Sequence, residues 1–166
     1  MVSQKQANLP FILFTGATLI GLVCPVLIQD GMFMDAMLYT SVAHNLSQGI
    51  GTFWFPQFSA HNVAGLNAFH EQPPLVFGIQ ALFFSAFGSG MYVERAYTFL
   101  MLLLSAWLII LIWKRIMHST AVLSNLSWLP VFLWITIPVC FWSYSNNMHE
   151  NTMTVFCLLA VLMTIR

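Results

Sequence analysis

The chain has five carboxylates, Asp30, Asp35, Glu71, Glu94 and Glu150, and the last four each stand near a side chain that could assist chemistry. Asp35, Tyr39 and Ala43 recur every four residues, so on a helix they form one stripe. A carboxylate held there can act as a general base towards a hydroxyl, or simply cap or solvate its helix. In His70-Glu71-Gln72-Pro73-Pro74-Leu75 two prolines stiffen the backbone just after an imidazole, a carboxylate and an amide. Such stiffening pre-organises polar groups for gripping a phosphate or a metal; the same run also reads as a plain helix start. Glu150 follows Asn146-Asn147-Met148-His149 and opens an apolar run, where a helix N-terminus favours negative charge. Asp35 and Glu150 with His70 or His149 would suit a divalent cation. Arg95 carries a planar fork that matches a phosphate, or it lays an apolar stem along the surface with its head at an interface.

Composition sets the elements that must position these groups. Charged residues make up 6% of the chain and hydrophobic ones 59%, with mean hydropathy +0.81, whereas soluble domains carry about 25% charged residues. Too few charges exist to cover a water-facing surface, so lipid is the expected solvent. Zero net charge argues against a nucleic-acid partner. Cys24, Cys140 and Cys157 are odd in number and sit in apolar runs, which reads as small core residues and not a disulfide framework. The run Leu9–Ile28 is about the length a bilayer core demands. It ends without the small residues of a cleavage site, so it reads as an uncleaved first span.

Four spans are expected, at approximately 9–28, 96–113, 121–141 and 150–165, with Pro130 and Pro138 kinking the third. The fold class is therefore all-α integral membrane, one domain over residues 1–166, with two interfacial helices in an outer loop 29–93. In that loop Met34–Leu46 turns Met34, Met37, Leu38, Val42 and Leu46 towards lipid or protein. Phe53-Trp54-Phe55-Pro56 forms an aromatic cluster suited to headgroup depth, and Pro73-Pro74 starts a second short helix ended by Gly88-Ser89-Gly90. With the N-terminus inside, Lys5, Lys114, Arg115 and Arg166 all lie inside, as the positive-inside rule asks. All five carboxylates then lie outside, with Arg95 the one basic exception, in need of Glu94, another outer carboxylate or a lipid phosphate. Asn45-Leu46-Ser47 and Asn125-Leu126-Ser127 match the short glycosylation pattern.

In order, spacing and side, these features resemble the N-terminal part of a GT-C glycosyltransferase of the polyprenyl-phosphate-sugar-dependent group, which includes the aminoarabinose transferases and protein O-mannosyltransferases. The resembling pieces are Asp35-x-x-x-Tyr39-x-x-x-Ala43, Gly49, Glu71-x-Pro73-Pro74-Leu75, Gly88, Arg95 and Glu150. The resemblance implies an inverting transferase that moves a sugar from a polyprenyl-phosphate donor to a hydroxyl acceptor. Asp35 would be the catalytic base, and Tyr39, His70, Glu71, Gln72 and Arg95 would bind substrate. Glu150, with His149, would hold a divalent metal cation or the acceptor. Such enzymes often have Lys before the double proline; here Gln72 can donate a hydrogen bond but cannot neutralise a phosphate, which leaves Arg95 or His70 to share that contact. Short loops and the lack of a retention signal favour a bacterial inner (plasma) membrane, with a cytoplasmic N-terminus from the charge bias. Members of the group are longer, so the chain is expected to be one part of a larger enzyme and inactive alone. The rival expectation is a non-catalytic membrane subunit that binds a partner through its outer loop. A transporter is disfavoured because the expected spans hold no charge at mid-depth.

Overall fold

Apolar runs and prolines divide the chain into eight helices among the residues described by the computed structural model, 4–59 and 68–165. They are α1 (Gln4–Leu27), α2 (Met34–Ser47), α3 (Pro74–Phe87), α4 (Met91–Ile116), α5 (Ala121–Ser124), α6 (Trp128–Ile135), α7 (Pro138–Ser145) and α8 (His149–Thr164). No strand is formed among these residues; a lone bridge joins Gly51 to Pro56. His61 and Arg166 lie outside the described residues, as do the side chains of residues 4–7, including Lys5.

The expected all-helical architecture holds, but the expected four spans do not all qualify. α1, over Asn8–Leu27, and α4 are long and apolar enough to cross a membrane, and α6 with α7 makes a third only if the pair counts as one span. That pair bends by 80°. Proline chemistry explains the bend. Pro138 has no N–H to give and pushes the residue before it out of helical backbone, and Ile137 is accordingly extended, with φ −70° and ψ 122°. Pro130 sits in the first turn of α6, where proline is tolerated, and breaks nothing. The fourth expected span, 150–165, falls on α8. With 16 residues, α8 is about 24 Å long against a hydrocarbon core of about 30 Å.

Two apolar clusters hold the helices. Leu19, Val23 and Leu27 of α1 pack with Tyr97, Leu102 and Leu108 of α4, Val131 and Ile135 of α6, Tyr144 of α7 and Val155 of α8. A second cluster at one end joins α2 to α3 through Ala36, Tyr39, Val42, Ala43, Phe77 and Phe84, together with Phe69 and Met148. Both short helices occur where expected, and α2 divides its apolar residues between surface and interior. Met34 and Met37 are exposed, whereas Val42 is fully buried beside Ala36, Tyr39 and Ala43. The 35–39–43 stripe thus faces the protein, with Asp35 half-buried at its end.

Charges separate along the bundle. Arg95, near the start of α4, donates through one guanidinium nitrogen to the carbonyls of Gln29 (3.3 Å) and Gly31 (2.7 Å), just beyond α1. At the far end the Asn8 amide donates to the Asn125 carbonyl, 3.1 Å. α1 and α4 are therefore antiparallel, and Lys114 and Arg115 close α4 at the end away from Asp30 and Glu94.

One turn joins the two clusters. Asn147 adopts a left-handed backbone, φ 49°, which asparagine tolerates better than most residues. Thr98 of α4 donates to its Oδ1 at 2.6 Å, and its amide donates to Thr40 of α2 at 3.0 Å. Beside it, the Phe33 N–H at the start of α2 donates to Asn146 Oδ1, 3.0 Å. Asn151 and Ser143 exchange two further bonds of 2.6 and 2.9 Å. All three asparagines are buried, where an unpaired polar group costs about 1–3 kcal/mol. Asn147→Ala strands Thr98 and Thr40 and should lower stability by about 2–4 kcal/mol, measured by thermal unfolding in detergent. Asn147→Gly relieves the backbone but not the lost bonds, so it should recover only part of that loss.

Candidate functional site

The site builds up from Tyr39, on the inward face of α2. Its ring is stacked on the His149 imidazole, with centroids 4.3 Å apart and planes 20° apart, and meets Phe69 and Phe77 edge-on at 6.2 Å. Phe77 of α3 meets the imidazole edge-on, also at 4.3 Å, with planes 66° apart. The phenol oxygen accepts a hydrogen bond from Gln72 Nε2 at 3.3 Å. Burial raises the Tyr39 pKa. The Gln72 bond pulls it down, and Asp35, Glu150 and Glu71 each push it up again through their negative charge.

Each carboxylate reaches this place by a different route. Asp35 lies in the first turn of α2, at the inner edge of the buried stripe, and its carboxylate makes no hydrogen bond or ion pair among the described residues. Glu150 lies in the first turn of α8 and is exposed, brought next to α2 by the Asn146–Asn147 turn. Glu71 and His70 are exposed before Pro73, where the double proline gives α3 its start. They line a cavity of about 470 Å³ together with Leu38, Phe58, Ala68 and Phe69. His70 also meets the Phe55 ring edge-on at 5.7 Å. Neither Asp35 nor Glu150 belongs to that lining.

Two expected ligands are differently employed. His149 is 2% exposed, and neither ring nitrogen has a partner. Its imidazole is stacked on Tyr39 and met edge-on by Phe77, while the neighbouring Glu150 is exposed. Among the described residues no three His, Cys, Asp or Glu side chains gather as a metal site. Arg95 is buried, with its fork turned to the Gln29 and Gly31 carbonyls and to Glu94 at 3.4 Å, so it braces the bundle end and is not offered to a phosphate. Asn45 is likewise occupied, its amide donating to the Gln57 and Phe58 carbonyls at 3.0 Å each, which ties the aromatic loop to α2.

The sequence reading passed over Asn146, Asn147, Thr40, Thr98 and Phe77. The available signal was an Asn-Asn pair in a chain with so few polar residues, placed just before a helix start. In comparisons with known proteins, the chain matches no family model, no curated protein and no solved structure.

Burial lowers the His149 pKa from 6.5 to about 3. The unfolded chain takes up this proton below about pH 6.5 while the folded chain refuses it until about pH 3, so the associated stability is complete above pH 6.5 and drains away as pH falls through that window. His149→Phe keeps a flat ring there and removes the titration. Melting measured at pH 7 and pH 4 should fall less for His149→Phe than for the wild type, by about 3 kcal/mol at pH 4.

Proposed function

We propose that this chain is part of a membrane glycosyltransferase that uses a polyprenyl-phosphate sugar and works at the end of the bundle where the carboxylates gather. The observation that carries the reading is that Tyr39, on the stripe that begins at Asp35, bonds Gln72 and stacks on His149, the residue before Glu150. Carboxylates at this end of the bundle beside aromatic rings suit a hydroxyl acceptor and its proton. Asp35 is the base. It is half-buried and without a partner of its own, so a hydroxyl can approach it. As the acceptor oxygen bonds to the anomeric carbon from the face opposite the phosphate, Asp35 takes the hydroxyl proton. The bond from that carbon to the phosphate oxygen breaks, the phosphate leaves with the electron pair, and the configuration inverts. Tyr39 and Gln72 orient the acceptor, and Glu150 accepts a further hydroxyl. His70 and Glu71, at the mouth of the neighbouring cavity, contact the donor.

The acid-bearing end faces the outer side of the membrane in this reading, and Lys114 and Arg115 face the cytoplasm. The membrane is the bacterial inner one. The alternative is a non-catalytic subunit whose exposed Phe53, Trp54 and Phe55 engage a partner.

The test supplies a polyprenyl-phosphate-linked radiolabelled sugar to membranes that contain the native gene product. Release of polyprenyl phosphate is expected, with Asp35→Asn slowing it about 100-fold or more, and Tyr39→Phe raising KM more than it lowers kcat. An Asp35→Asn rate equal to the wild type would remove Asp35 as base and favour the subunit reading.

A further inference from the structure

The basic end of the bundle carries a second feature, unrelated to the carboxylates and independent of the reading above. Ala106, Ile110 and Lys114 recur every four residues along α4 and line one wall of a groove of about 370 Å³, whose other walls include Gly16 and Leu19 of α1 and Trp128 of α6. The stripe rises about 12 Å along α4. It is apolar until it reaches Lys114. The Trp128 wall is fixed by its stack on Phe11, with centroids 5.0 Å apart. Ala106 keeps the groove wide, and Gly16 leaves it open, because a Cβ built there meets no atom within 4 Å.

Charge identifies what fits. Lys114 and its neighbour Arg115 are exposed, and neither has an acidic partner among the described residues. Asp30, Asp35, Glu71, Glu94 and Glu150 belong to the other end of the bundle. A hydrocarbon-lined channel that ends in an uncompensated ammonium group matches a molecule with an apolar tail and an anionic head. A soluble phosphate would satisfy Lys114 but leave the groove unfilled.

We infer that the groove between α1, α4 and α6 binds one anionic glycerophospholipid, with an acyl chain along Ala106 and Ile110 and the headgroup phosphate on Lys114. The site recognises a lipid of the membrane around it and is separate from any lipid-linked substrate.

Delipidated full chain in detergent, titrated with dioleoylphosphatidylglycerol or dioleoylphosphatidylcholine and read by native mass spectrometry, tests this. A basic residue near an anionic headgroup is worth about fivefold in affinity, so the glycerol lipid should bind about fivefold more tightly, and Lys114→Gln should abolish the preference while both lipids still bind. Gly16→Leu puts a side chain into the open groove and should eliminate both, with its melting temperature unchanged or raised because leucine is the better helix former. Equal affinity of the two lipids for the wild type would overturn the proposal. So would full binding by Gly16→Leu, or displacement of the lipid by inorganic phosphate, which would mark a bare anion site.

Discussion

The arrangement depends on burying asparagine amides in a chain that is mostly apolar. Asn147 bonds Thr98 on α4 and Thr40 on α2, and Asn146 receives the first free N–H of α2. Among hydrocarbon side chains these donors and acceptors have no alternative partners, so the geometry that pairs them is strongly preferred over any that does not. Apolar contacts alone would let α2 and α3 slide across the end of the bundle, since one greasy surface packs about as well as another. The amides supply the direction that dispersion lacks. They fix where α8 starts, and so which residues meet α2.

The carboxylates follow from that constraint. His149 and Glu150 are neighbours in sequence, yet one is buried and the other is exposed. The turn before α8 sets the imidazole against Tyr39 and Phe77 and leaves the carboxylate outside. The ring extends the aromatic wall that Tyr39, Phe69 and Phe77 form. Phe69 of the same wall borders the cavity that His70 and Glu71 line.

Much of this was legible in the sequence, and the misses have physical causes. The two surface helices and the two long apolar helices follow from run length and from Pro74 and Gly88, since those signals are local. Side and order along the chain allow the helices that begin at Asp35 and Glu150 to approach each other, and Tyr39 of α2 stacks on His149 at the start of α8. Which of Met34 and Val42 turns inward was left open because both are apolar, and only packing decides it. Arg95 read as a phosphate ligand because its partners are backbone carbonyls, which no sequence pattern marks. Length misled at α8, where the apolar run is real but the helix is short. A proline in sequence announces a kink without its size, and the 80° bend at Pro138 was beyond that signal.

That bend has a consequence for the surrounding lipid. α4, with 26 residues, offers about 39 Å of helix, whereas α6 and α7, with 8 residues each, are about 12 Å apiece and turn away from one another. The protein therefore has a tall flank and a low flank. A bilayer meeting both must tilt α4 or become thinner around α7 and α8, because hydrophobic mismatch is relieved by whichever deformation is softer. Acyl chains next to the low flank would be compressed and more disordered than those in the bulk membrane, giving the protein a local depression beside α7.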